Sequence, residues 1–350
     1  MDSRPQFRTA AVSTIVATIV AGSFLSRALT SQTLSNQSGT TARIAGAAQA
    51  FVSTLDERAR AKAVYPTDSA QKTNWSNLPT GIYQRNSLRL GDLNPAQRAA
   101  VMKLLATALS AEGYRKVVDI MNGDELLQQR GSAGRGGGGG PRFGLDEYYI
   151  AFIGTPSTTA PWMLQFGGHH LAINLTLAGN QASMAPSLPA TQPASFTFEG
   201  KTVRPLGDEN DKAFLLINAL DAKQKGQAII GSRVADLVLG PGQDGKTIQP
   251  EGIRASALSA QQQTMLWDIV REWSGIMADA YAEPRFTELK SHLNDTYFAW
   301  SGPTTNGSAA YFRIQGPTLV IEYAPQNGVD HIHTIYRDPT NDYGAKIAKR

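Results

Sequence analysis

The chain has 350 residues, 41% hydrophobic and 18% charged, values that suit a folded protein with a substantial core and exclude a disordered one. Its net charge of +4 falls to +2 when residues 1–28 are set aside, since they hold Arg4, Arg8 and Arg27 against Asp2. No stripe of Lys and Arg with interleaved aromatics remains, so no nucleic-acid partner is expected. Cysteine is absent, which excludes disulfides, thiolate nucleophiles and zinc–thiolate sites.

At the N-terminus, Arg4 and Arg8 precede the apolar run AAVSTIVATIVAGSFL (10–25), with small residues at Ala21, Ser23, Ser26 and Ala28. A basic start, an apolar middle and small residues beyond it predict a signal peptide over 1–28 and an exported protein, periplasmic or extracellular. Sixteen residues containing Ser and Thr fall short of the ~20 apolar positions of a membrane span, so none is expected in the mature chain. Residues 29–44 are rich in Ser and Thr and read as a linker. From Ala45 to Ala61 the apolar spacing is helical.

Asn94, Asp221 and Ser259 each stand three residues before a glutamine, in Leu-Asn-Pro-Ala-Gln, Leu-Asp-Ala-Lys-Gln and Leu-Ser-Ala-Gln-Gln. This is capping-box spacing, and it predicts three helix starts. The recurrence reads as common capping chemistry rather than as a structural repeat. The third helix runs from Ser259 to about Ala282 with Met265, Leu266, Ile269, Val270, Trp273 and Ile276 at core spacing, and Pro284 ends it or begins a short helix to His292. The tract GSAGRGGGGGP (131–141) lacks a following GK[ST] and predicts a flexible loop, not a phosphate cradle.

Beyond the glycines the pattern turns to β. EYYIAFIGTP (147–156) and APWMLQFGGHHLAINLTLAG (160–179) read as two strands, and 194–206 as a hairpin turning at Glu199-Gly200. The last third reads as a meander: 296–302, 310–316, 318–324 and 331–337. The fold class is α+β, an antiparallel sheet with several flanking helices, forming a single domain over 45–350.

Four of the five histidines sit in two clusters, His169–His170 and His331-x-His333. On a strand, residues i and i+2 share a face, so His331 and His333 project side by side. With a third imidazole from a neighbouring strand they make a three-histidine site with an open position. If 166–176 is one strand, His169 and His170 point to opposite faces unless Gly167-Gly168 bulges. His170 is the expected ligand, and His169 a supporting residue or fourth ligand. His292, alone on a helical pattern, is structural. Glu322 is a candidate fourth ligand or general base, and Arg337 a candidate for an anionic substrate group. Trp162, Asn174, Trp300 and Tyr343 are candidates for lining a substrate groove.

The segments WMLQFGGHHLAIN and DHIHTIYRDPTNDYG resemble a bacterial, often exported family known as a domain of unknown function, over about residue 45 to the end. The resemblance implies export and a shared His-rich site, and supplies no substrate. The residues themselves point to an exported metalloprotein holding one transition metal ion. Zinc, serving a hydrolase that acts on a small molecule or peptide, comes first. A copper or iron oxidoreductase comes next. The other class is a non-catalytic binder of metal, peptide or polymer.

Overall fold

The three glutamines form their capping boxes. Asn94, Asp221 and Ser259 accept hydrogen bonds from the amides of Gln97, Gln224 and Gln262, and each glutamine side chain reaches back to its cap amide. The computed structural model in which they lie describes residues 13–132 and 140–348. Arg4 and Arg8, the basic start of the expected signal peptide, fall outside the described residues, as does most of the glycine tract.

The first half comprises α1 (Ser13–Ser53), α2 (Glu57–Ala63), β1 (Val64–Tyr65), β2 (Leu88–Arg89), α3 (Pro95–Ala108), α4 (Ala111–Ser132), β3 (Tyr149–Ile153), β4 (Trp162–Gly168), β5 (Leu171–Ala178), β6 (Gln181–Ser183) and β7 (Ser187–Pro189). A small hairpin follows, β8 (Phe196–Phe198) and β9 (Lys201–Val203), with Glu199 and Gly200 both at positive φ as its tight turn requires. The second half comprises α5 (Gly207–Ala219), α6 (Ala222–Ala228), β10 (Ile229–Gly231), β11 (Ile253–Arg254), α7 (Ala260–Ser274), α8 (Asp279–Ser291), β12 (Tyr297–Ser301), β13 (Tyr311–Gly316), β14 (Leu319–Pro325) and β15 (Ile332–Arg337). The expected meander is β12 to β15, antiparallel throughout.

The halves are two copies of one pattern, so the recurring caps mark a structural repeat after all. Caps Asp56 and Asp221 are 165 residues apart, as are Asn94 and Ser259. Gln97 donates to the Thr54 carbonyl, and Gln262 to that of Ala219, again 165 residues on. Beyond the glycine tract the shift becomes 148. Tyr149 pairs with Gly167 and Gly168 with Leu171; Tyr297 pairs with Gln315 and Gly316 with Leu319. The shift narrows because α4 has 22 residues and a glycine tract follows it, where α8 has 13.

One 13-stranded sheet runs through both copies, with β7 and β15 meeting at the centre. Ile173 and Ile321 correspond under the 148-residue shift, and the residues opposite them, Ser187 and Tyr336, are therefore equivalent in the two copies at a separation of 149. Ser187 and Tyr336 also pair antiparallel with each other. Corresponding residues facing each other in this way place an approximate twofold axis through that pair. Alternation then sorts the side chains. Ile150 and Phe152 face the helices with Phe51 and Leu104, and in the second half Phe298 and Phe312 face Trp273 and Ile269. Ala151, Ile153, Met163 and Ile335 face the other way, under loops that bring Trp75 and Tyr343.

Three local expectations change. Residues 29–44 belong to α1 and are not a linker; Thr41, buried on that helix, bonds Tyr281 and the Gly179 carbonyl at 2.6 and 2.7 Å. Helix α7 stops at Ser274 with Gly275 as cap, and Pro284 lies inside α8. Residues 160–179 are a hairpin rather than one strand.

The paired glutamines give a test. Gln97→Ala should cost about 1 kcal/mol, and Gln262→Ala about 1–3 kcal/mol, because Gln262 is buried and its loss removes a bond to the Ala219 carbonyl and two to Gln224. Guanidinium unfolding of both variants would show the order; equal, negligible losses would mean the caps contribute nothing beyond water.

Candidate functional site

His169 and His170 are the two central residues of the turn between β4 and β5, flanked by the Gly168–Leu171 pair. His170 has φ of 61°, the left-handed region that favours glycine and costs a side-chain-bearing residue about 1–3 kcal/mol. Packing enforces it. The His170 amide donates to the Asn77 carbonyl at 3.1 Å, and the Ala190 amide donates to the His170 carbonyl at 2.8 Å. Tyr148 Oη donates to the His169 carbonyl, and Arg85 to that of Gly168. A Cβ on Gly168 would stand 2.9 Å from the Glu147 carbonyl oxygen, which is why glycine precedes the histidines.

The turn aims His170 across the segment 189–191 toward β15. Thr191 and Ile332 exchange two backbone hydrogen bonds at 2.9 Å, and on either side of Ile332 stand His331 and His333. His170 Nε2 lies 2.9 Å from His331 Nε2, which lies 3.0 Å from His333 Nε2. Among the described residues these three form a group whose ligand atoms all fall within 4.8 Å of one another.

Burial and the neighbouring imidazoles push His170 well below the usual histidine range. Burial first, then His333 and His169, push His331 down to about 4. Both rings are therefore neutral at neutral pH, the form that ligates metal. The Nδ1 side of His333 contacts Asp236 Oδ1 at 3.0 Å. Asp236 also accepts from Gln326 and from the Leu237 amide. Partial burial pushes its carboxyl up, but the bonds from His333 and Leu237 outweigh it and hold the group below its ordinary value. Asn77 Nδ2 lies 3.2 Å from His333 Nε2.

The structure thus brings His170, His331 and His333 together and leaves the other candidates elsewhere. His169 turns its Nδ1 to Asp124 Oδ1 at 2.6 Å and stacks on the His170 ring at 3.6 Å between centroids, so it supports the turn and stands outside the triad. Glu322 lies opposite Ile335, two pairs along from His333 and Ala324 and so on the same face of the sheet as His333. Its carboxylate accepts the Val238 and Leu239 amides at 2.9 and 2.7 Å and the Tyr311 hydroxyl at 2.6 Å, which leaves it anchoring the loop that carries Asp236. Arg337 is buried against the Leu239 and Gly240 carbonyls, Asp244 and Asp342, and faces no open space for a substrate anion.

Trp162 and Tyr343 line one cavity together with Met163 and Thr176, and neither Trp300 nor a residue of the triad lines it. Trp162 packs in the first-half core and Trp300 in the second, while Tyr343 bridges Trp75 and Asp244 beneath the loops. Asn174 is buried, bonded to Gln165 and the Pro186 carbonyl. His292 caps α8. Asn77, Asp124 and Asp236 escaped the sequence reading because each comes from a loop or helix far from the histidine motifs, with no spacing to mark it.

Over residues 37–345 the chain matches the family described as Protein of unknown function (DUF3500), and it belongs to that family. The expected resemblance to a domain of unknown function is borne out, starting at 37 rather than 45. No curated protein and no solved structure matches the chain.

Two tests follow from the geometry. Glu322→Ala should destabilise the fold by more than 2 kcal/mol in chemical unfolding, since it orphans two amides and a buried hydroxyl; a variant of wild-type stability would mean that Glu322 does not anchor this loop. For His331, the folded value near 4 lies below the unfolded ~6.5, so the unfolded chain binds more protons between them. Stability of the metal-free protein should therefore fall as pH drops from about 6.5 to about 4, and fall less steeply in His331→Gln. Identical slopes in thermal melts across that range would refute the shift.

Proposed function

We propose that this member of the family binds one transition metal ion through His170, His331 and His333 and uses it to activate water for hydrolysis. The convergence of the three Nε2 atoms carries the reading. A tetrahedral zinc ion with bonds of ~2.0–2.1 Å needs its ligand nitrogens about 3.3–3.4 Å apart. The spacings of 2.9 and 3.0 Å approach this with small side-chain rotations. Three protein ligands leave one position for water, whose pKa the ion lowers toward neutrality. Asp236 behind His333 and the Asp124–His169 pair behind His170 supply the outer contacts that fix ring orientation in such sites.

A histidine-only donor set also suits copper or iron, which would make the chain an oxidoreductase, and the identity of the ion decides between them. Export remains part of the proposal on the strength of Arg4, Arg8 and the apolar run 10–25. Among the described residues no helix is long and apolar enough to cross a membrane. From Gln32 on, where side chains are described, the first buried residue is Thr40, twelve positions beyond the end of the predicted signal peptide.

Elemental analysis of the purified protein should find about one metal ion per chain. His170→Ala, His331→Ala and His333→Ala should each lose it, together with the stabilisation that binding confers, about 2.7 kcal/mol at a hundredfold excess over Kd. His292→Ala should keep both. Asp236→Ala should weaken binding about 10–100-fold. A wild-type protein that takes up none of zinc, copper or iron on dialysis overturns the reading.

A further inference from the structure

His333 Nε2 has a neighbour besides His331. Asn77 Nδ2 lies 3.2 Å from it. Among the described residues no other side chain from outside the triad touches the three Nε2 atoms. Asp236 decides which way this contact runs. A carboxylate only accepts, so the proton of the neutral His333 ring sits on Nδ1, against Asp236, and Nε2 presents its lone pair. The Asn77 amide donates to that lone pair, the one an ion would take.

The backbone holds this amide in place. Buried Arg85 donates through Nη2 to the Ser76 and Leu78 carbonyls on either side of Asn77, at 2.7 Å each, and to the Gly168 carbonyl at 2.9 Å. The Asn77 carbonyl accepts the His170 amide at 3.1 Å. Residues 76–78 are thereby clamped to the hairpin that carries His170. Asn77 itself is partly buried, and among the described residues its side chain makes no hydrogen bond other than the one to His333.

Distance limits what the amide can reach once it lets go of His333. With Nε2–metal bonds of ~2.0–2.1 Å, the Asn77 nitrogen, 3.2 Å from Nε2, lies within about 5.3 Å of the ion. A donor bonded at about 2.9 Å to an oxygen itself about 2.0 Å from the ion lies within about 4.9 Å of that ion. The two ranges overlap, so a rotation of the side chain, with the backbone where it stands, brings the amide to an oxygen at the open position.

Resting on the reading of the triad as a metal site, we propose that Asn77 is the hydrogen-bond donor to the oxygen ligand at the ion's fourth position. It caps His333 in the metal-free protein. When the ion takes that lone pair, the amide turns to water or to a carboxylate-type oxygen anion. Being uncharged, it recognises an oxygen lone pair beside the ion rather than a net charge.

The full chain loaded with cobalt(II), whose visible absorption reports its ligands, is titrated with acetate and with imidazole. Bound acetate keeps oxygen lone pairs for Asn77; imidazole has none left on the nitrogen that meets the ion. Asn77→Ala should bind one cobalt ion per chain, lose roughly tenfold in acetate affinity, as expected for one hydrogen bond to a charged acceptor, and keep its imidazole affinity. Asn77→Leu, of similar shape and without a donor, should do the same and serves if the alanine variant does not fold. Equal acetate affinities in wild type and variant, with cobalt bound, overturn the proposal and leave the metal site standing. A parallel loss of acetate and imidazole affinity, or loss of the ion itself, means that Asn77 positions the histidines and overturns the donor role. A wild-type chain that takes up no cobalt also overturns the proposal, and the metal reading falls with it if zinc, copper and iron are refused too.

Discussion

Two hydrogen bonds between Thr191 and Ile332, each amide donating to the other's carbonyl at 2.9 Å, hold the site in register. The triad draws His170 from a hairpin in the first copy of the fold and His331 and His333 from the last strand of the second. Neither copy contains the site. Segment 189–191 spans the gap, bonded to the hairpin through Leu171–Pro189 and Ala190–His170 and to β15 through Thr191–Ile332. A slip of one residue along β15 would turn both histidines to the helix face. The junction between the copies therefore determines the site more than either histidine motif does.

The duplication shows how far one copy has diverged from the other. Under the 148-residue shift the turn residues His169–His170 correspond to Pro317–Thr318, between β13 and β14. No imidazole stands there. Arg285 from α8 fills the position, donating to the Thr318 carbonyl and the Tyr336 hydroxyl and pairing with Asp338 and Glu288. On the β15 side, Ala324 pairs with His333 where the corresponding Thr176 pairs with Ser183. The sheet frame is kept in both copies, while three imidazoles meet at one of these places and a salt-bridge network stands at the other.

Period and capping made much of this legible from the sequence. The strands of the meander, the Glu199-Gly200 turn and the side-by-side setting of His331 and His333 follow from alternation and turn chemistry, which are local. The hairpin at His169–His170 did not, because its turn places a left-handed backbone on a histidine where glycine or asparagine would have signalled it. The repeat was hidden for a different reason. What the copies share is register and caps, with little residue identity between, for instance, Gln165-Phe166-Gly167 and the corresponding Arg313-Ile314-Gln315. Glu322 and Arg337 show how burial changes what a charged residue meets. An acid or base read as reactive becomes, once enclosed, a partner for backbone groups that have no water.

The left-handed conformation of His170 carries the last step. Glycine would fit that turn without strain, and nothing in the hairpin register demands a side chain there. The cost of keeping one is met by the stacking of His169, itself bound to buried Asp124, and by bonds to both carbonyl and amide of His170. Three imidazoles are then crowded at hydrogen-bonding distance, in a place where burial disfavours the charged forms of His170 and His331. A fold optimised for stability alone would relieve both the strain and the crowding. Their joint presence at the junction of the two copies is the physical ground for the proposal that the triad is a functional site.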